Sequence, residues 1–247
     1  MLHKLTKIAL APVLLLQGRQ VKRDTPRLAE AEGVREGIMA PEPGHSAPGL
    51  RVLIVGDSAA AGVGVRTQDD ALMGQLIAEL SGDFSLGWKL IARSGWTTGA
   101  LMRALQKEDD APFDVVVTSL GVNDVLGDKD PKIWRARQAD LIALLEEKFG
   151  PSQIILTGVP PMHLFPSLPQ PLRWFLGQSA RRLNRELAHL GEGLGYEVVT
   201  VDFPLDAEVM AADGFHPGAV GYRIWAAQVA ERIRSFGHGS AVQESVG

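Results

Sequence analysis

Five short apolar runs punctuate the chain beyond residue 50, at 51–56, 88–92, 113–120, 153–158 and 197–201. Several are unbroken Val/Ile/Leu stretches, the pattern of strands covered on both faces in a parallel sheet. Between them, apolar residues recur at helical spacing. Asp130-Pro131 reads as a cap followed by a first-turn proline, and Ile133, Trp134, Leu141, Leu144 and Leu145 carry that helix to Gly150. In Leu172–Leu194 the residues Arg181, Arg182, Arg185 and Glu186 read as the solvated face of a packed helix. A last helix starts at Pro217 and buries Tyr222, Trp225, Val229 and Ile233. Strands alternating with helices, without internal repeats, predict a three-layer α/β/α sandwich of flavodoxin-like type around a five-stranded parallel sheet. Ligands of such sheets gather at the carboxyl ends of the strands.

Before residue 50 the pattern changes. Lys4, Lys7, Arg19, Lys22 and Arg23 stand in residues 1–23 with no acidic residue among them. The apolar run at 8–16 is about half of the roughly 20 residues a spanning helix needs. Three readings stand for this arm. An export signal would suit the basic start, but no small-x-small cleavage site follows, and basic residues do. A segment lying on an anionic membrane surface suits the charges. A helix packed on the domain is the third. Residues 40–49 are a Pro/Gly-rich connector. The predicted organisation is an arm and connector at 1–49, one α/β domain at 50–236 and a tail at 237–247.

Composition removes whole classes of chemistry. With no cysteine there is no thiolate nucleophile, no disulfide and no Cys-bound metal. A formal net charge of −4 argues against nucleic acid as the partner, because displacing counterions from phosphates needs surplus Lys and Arg. A nucleophile here must be oxygen or nitrogen.

The strand exits supply candidates. The first run enters Gly56-Asp57-Ser58-Ala59-Ala60-Ala61-Gly62-Val63-Gly64. One reading is a glycine loop cradling phosphate in a nucleotide- or anion-binding module, although neither G-x-G-x-x-G nor G-x-x-x-x-G-K-[ST] is present. The other presents Ser58 on a sharp strand-to-helix turn, where its hydroxyl can attack a carbonyl. After the second run, Ser94-Gly95-Trp96-Thr97 offers an unobstructed backbone N–H. After the third, Leu120-Gly121-Val122-Asn123-Asp124 places a carboxamide donor at the same edge. Before the last helix, Ala212-Asp213-Gly214-Phe215-His216-Pro217 sets a carboxylate three residues from an imidazole. Of six histidines, only His163 is another loop candidate.

Four blocks in this order resemble the SGNH hydrolase family, also called GDSL esterases and lipases, over about residues 50–236. The resemblance implies a serine carboxylester hydrolase that works without metal or cofactor on a small-molecule ester. It implies Ser58 as nucleophile, with Asp213 and His216 completing the triad. The backbone N–H groups of Ser58 and Gly95 and the Asn123 side chain would form the oxyanion hole, with Gly99 an alternative to Gly95 in the same loop. Family members often carry Leu where this chain has Ala59, a change in packing beside the nucleophile. Asp57 and Asp124 read as loop-organising acceptors.

Substrate is less legible. The apolar loop at 158–168 either forms an acyl-pocket wall through Met162, Leu164, Phe165 and Leu168 or packs the sheet against the next helix. Trp96 is a further substrate-binding candidate. An apolar wall favours short- to medium-chain acyl or aryl esters, with carbohydrate acetyl groups, lysophospholipids or thioesters as alternatives. The expected location is cytoplasmic, with the arm at a membrane surface, or exported under the signal reading.

Overall fold

The computed structural model describes residues 2–40, 47–127, 130–200, 206 and 208–244, with 2–9 and 237–244 as backbone only. In chain order the elements begin with α1 (Leu2–Asp24), β1 (Glu36–Met39), β2 (Gly49–Gly56), α2 (Leu72–Leu80), β3 (Ser85–Ala92) and α3 (Thr98–Leu105). They continue with β4 (Val115–Ser119), α4 (Val122–Leu126), α5 (Pro131–Phe149), β5 (Gln153–Thr157), α6 (Leu172–Leu194), β6 (Glu197–Val199) and α7 (Ala219–Glu244).

The five predicted strands form the parallel part of one sheet, ordered β1-β3-β2-β4-β5-β6. Alternation along each strand divides the core between two faces. Val52 and Ile54 join Leu72, Leu76, Tyr222 and Trp225 beneath α2 and α7. Leu53 and Val55 join Leu101, Trp134, Leu141 and Leu183 beneath α3, α5 and α6. Both faces are covered, which is why these strands read as unbroken apolar runs. The parallel order reverses between β2 and β4, the switch point at which such sheets leave a crevice.

Several boundaries depart from the sequence reading. A sixth strand, β1, pairs antiparallel with β3. It is short and largely exposed, so it joins by backbone pairing rather than by burying an apolar face. Through β1 the segment before the connector joins the sheet. α1 packs on α6, with Leu14 buried and the Gln17 amide donating to the Gln170 carbonyl at 2.6 Å. Of the connector, residues 41–46 lie outside the described residues, as does the predicted strand end at Val201. The last helix begins at Ala219 rather than Pro217 and continues to Glu244, through most of the predicted tail. α5 follows its sequence signals closely: the Asp130 side chain accepts the Lys132 N–H, and Gly150 ends the helix in left-handed conformation.

Candidate active site

β2 ends at Gly56, and the chain turns at once through residues 57–64. The turn is closed by backbone hydrogen bonds from Ala61 N–H to Asp57 O and from Val63 N–H to Ser58 O, each 3.0 Å. α7 secures it from below, with the buried Tyr222 hydroxyl 2.7 Å from the Val63 carbonyl and 3.0 Å from that of Ala59. Gly64, at φ +112°, lies so close to the loop before α7 that a Cβ would stand 2.2 Å from the Pro217 carbonyl oxygen. Only glycine permits that approach. It brings the Ser58 turn and the His216 loop together across 158 residues of sequence.

At this junction His216 Nε2 lies 2.8 Å from Ser58 Oγ, and His216 Nδ1 lies 2.6 Å from Asp213 Oδ2. The other Asp213 oxygen accepts the backbone N–H groups of Phe215 and His216 at 2.9 and 3.0 Å. Burial would raise the Asp213 carboxyl, but hydrogen bonds from the His216 ring and from the two N–H groups outweigh it and hold the group below its ordinary value. Asp213 is therefore a fixed anion on one imidazole nitrogen, with a hydroxyl on the other. Such an array can draw a proton from Ser58 as its oxygen attacks an electrophile.

The three candidate donors lie on the predicted loops, and of these residues Ser58 and Asn123 line the same cavity. Among the described residues, neither Ser58 N–H nor Gly95 N–H has a protein acceptor. Gly95 is exposed at φ +83°, with nothing near the position of a Cβ. The Asn123 amide donates to the Trp96 carbonyl at 3.0 Å and to Asp57 Oδ2 at 3.4 Å. Beneath that loop, buried Asp124 accepts the Thr98 N–H at 3.1 Å and the Thr98 hydroxyl at 2.8 Å, and Gln138 donates to the same hydroxyl at 2.7 Å. Gly99 lies one turn further on, inside α3.

Asp57, only 3% exposed, accepts the Ala59 N–H at 3.2 Å. Burial raises its pKa to about 7; the Ala59 hydrogen bond and His216 oppose the rise, and nearby Asp124 adds to it.

A cavity of about 160 Å³ opens beside Ser58. Ala59, Leu120, Val122, Leu126, Phe165 and Trp225 are among its apolar walls, and Asn123 and His216 stand at the reactive end. Of the predicted wall residues, Phe165 lines it. Met162 and Leu168 are buried in the core instead, and Leu164 is half exposed to solvent. Trp96 packs against the core and offers its carbonyl to Asn123 rather than a ring to the cavity. His163 packs against Gly177 of α6, away from Ser58. The walls from Met210, Thr157 and Trp225 carried no local sequence signal, because tertiary packing alone brings them to the cavity.

Residues 54–224, more than half of the chain, match the GDSL-like Lipase/Acylhydrolase family. The chain belongs to that family. Its members hydrolyse esters, and a catalytic triad with an oxyanion hole is typical of them. No curated protein matches the sequence. Among solved structures, the fold is similar to a lipolytic G-D-S-L family protein from Veillonella parvula DSM 2008, with a TM-score of 0.59 and 16% identity over 74% of this chain and 97% of that one. It is also similar to an inhibitor-bound aryl esterase from M. smegmatis, with a TM-score of 0.56 and 20% identity over 75% and 99% of the two chains. A lipase/acylhydrolase from Enterococcus faecalis gives 0.57 and 21% over 75% and 96%. At these identities the likeness is one of fold.

Proposed function

We propose that this protein is a serine carboxylester hydrolase acting on short- to medium-chain acyl or aryl esters. The observation that carries this reading is the continuous hydrogen-bonded array Asp213–His216–Ser58 at the mouth of an apolar cavity. His216 Nε2 takes the Ser58 proton as Oγ attacks the ester carbonyl carbon. Asp213 holds the imidazole with Nδ1–H toward itself and stabilises the imidazolium. The carbonyl oxygen, now anionic, receives hydrogen bonds from Ser58 N–H, Gly95 N–H and Asn123 Nδ2, the last giving up its long 3.4 Å contact with Asp57 Oδ2. Collapse of the tetrahedral intermediate expels the alcohol with the proton from His216 and leaves acyl-Ser58. Water, deprotonated by His216, then releases the acid.

The cavity supports this choice of chain length. Its volume of about 160 Å³ is close to the roughly 150 Å³ of an apolar cavity that accepts benzene. A group of about six carbons fits, and a sugar ring would find few polar partners along the apolar walls. The test compares p-nitrophenyl acetate, butyrate and octanoate with an acetylated xyloside, using the wild-type protein and Ser58→Ala. Butyrate or octanoate leading, with activity lost in Ser58→Ala, supports the reading. Preference for the xyloside, or activity that survives Ser58→Ala, overturns it.

We also propose that the outer face of α1 meets an anionic membrane surface. Opposite the face packed on α6, it exposes Val13, Leu15 and Leu16, the last two by 63% and 66%, followed by exposed Arg19 and Lys22. Apolar residues beside cations are what an interfacial helix presents to acidic headgroups. Among the described residues no helix is long and apolar enough to cross a membrane.

A further inference from the structure

Residues 30–35 lie outside the stretch that matches the family, yet they bind both loops that present the backbone donors of the site. On one side, Ala31 N–H donates to the Ala61 carbonyl at 3.2 Å, Glu32 N–H to the Arg66 carbonyl at 3.0 Å, and Gln68 N–H to the Glu32 carbonyl at 2.7 Å. The buried Gln68 amide closes this seam, 3.1 Å from the carbonyls of both Ala31 and Ala61. These bonds tie the strap to the turn that carries Ser58. On the other side, Glu30 Oε1 accepts the Ser94 N–H at 2.6 Å, immediately before Gly95. Arg35 holds the carboxylate in place, with one guanidinium nitrogen 2.7 Å from Glu30 Oε2 and the other donating to the Ala92 carbonyl at 2.8 Å.

The Ser94–Gly95 loop needs such a support. Arg93, Ser94 and Gly95 are all exposed, so hydrogen bonds rather than burial hold the direction of the Gly95 N–H. Its inner half is anchored at Trp96 and Thr98 by Asn123 and Asp124. Its outer half has the turn bond from Trp96 N–H to the Arg93 carbonyl at 3.2 Å, the Arg93 N–H bond to the Gly56 carbonyl at 3.3 Å, and the Glu30 contact at 2.6 Å. The charged acceptor makes the shortest and strongest bond of the three.

We infer that Glu30, oriented by Arg35, is a positioning residue that fixes the Gly95 N–H relative to the Ser58 N–H through the strap of residues 30–35. The inference rests on the hydrolase reading above and on Gly95 as a donor. Glu30 touches no reacting atom. Its effect is on the transition state, since a misplaced donor weakens stabilisation of the oxyanion more than binding of the neutral ester. Gln at this position keeps an oxygen for Ser94 N–H, whereas Ala removes it.

The test measures kcat and KM on p-nitrophenyl butyrate for Glu30→Ala and Glu30→Gln in the full chain, with thermal melts of each. Ser58→Ala is assayed in parallel, because activity surviving that change would sink the hydrolase reading itself. Given Ser58-dependent activity, Glu30→Ala is expected to lower kcat by about tenfold to a hundredfold at nearly constant KM, since a displacement of about 1 Å costs that order. Glu30→Gln, which keeps the oxygen for Ser94 N–H but gives up the one that Arg35 holds, is expected to recover part of the loss. Wild-type kcat in Glu30→Ala, or an equal loss in both variants, overturns the proposal. A second readout needs no variant: in the wild-type protein, hydrogen exchange at the exposed Ser94 amide is slowed by its bond to Glu30. Exchange at the rate of an unbonded amide overturns the proposal as well.

Discussion

His216 meets Ser58 and Asp213 with opposite ring nitrogens, Nε2 at 2.8 Å from the hydroxyl and Nδ1 at 2.6 Å from the carboxylate. The backbone N–H groups of Phe215 and His216 occupy the remaining carboxylate oxygen. In Asp213→Asn the amide oxygen would stay with those two N–H groups and turn the NH2 toward Nδ1. The imidazole would then carry its proton on Nε2 and could not accept one from Ser58. The variant is expected to lose about 10⁴-fold in kcat with its melting temperature little changed. Activity within tenfold of wild type would show that His216 is not the base.

Asn123→Ala removes the one side-chain donor of the proposed oxyanion hole. A loss of about 100- to 1000-fold in kcat is expected. The amide is only partly buried, so circular dichroism should show the fold retained. Unchanged turnover would take Asn123 out of the site.

Ala59 lines the cavity beside Ser58. Ala59→Leu places three more carbons in it and should shorten the acyl chain accepted. Each methylene shut out costs about 0.8 kcal/mol, so the octanoate-to-acetate ratio of kcat/KM is expected to fall between about tenfold and a hundredfold. An unchanged ratio would place the acyl group elsewhere.

The grouping of the candidate residues was more legible in the sequence than its supports. Ser58, Asn123, Asp213 and His216 each sit in a short block at a strand exit or helix start, where local residues determine the turn. The α5 boundary was legible for the same reason, through Asp130 and Pro131. By contrast, Glu30 reaches Ser94 across 64 residues and Arg35 reaches Ala92 across 57, and no local pattern encodes such contacts. β1 was missed because Glu36, Gly37, Ile38 and Met39 have no alternating buried face. Phe165 and Met162 belong to one apolar loop. Which of them faces the cavity is decided by how the segment at 162–164 docks on α6.

Asp57 gives stability a defined pH dependence. Its pKa is raised by burial from an ordinary 3.8 to about 7, so the folded protein holds this proton more tightly than the unfolded chain. Its contribution is full below about pH 4, declines as pH rises toward 7 and is constant above. Relative to Asp57→Asn, wild-type unfolding free energy should fall across that window by up to about 1.4 kcal/mol per pH unit. Asp213 has the opposite sign: its lowered pKa stabilises the fold above the ordinary value and the gain is lost on acidification. A difference between wild type and Asp57→Asn that stays flat from pH 4 to 8 would contradict the Asp57 assignment.

The α1 surface is tested by flotation of full-length protein with phosphatidylcholine vesicles, with and without phosphatidylserine. Wild type is expected to float with the anionic vesicles at low salt and less so at high salt. Arg19→Glu combined with Lys22→Glu should remain in the dense fraction. Equal behaviour of the two proteins would remove the membrane role.

The most direct measurement is mass-spectrometric mapping of a fluorophosphonate adduct on the folded wild-type protein. One adduct on Ser58 is predicted, absent in Ser58→Ala and formed far more slowly in His216→Ala. No adduct, or one on another residue, would contradict the assignment of Ser58 as an activated nucleophile.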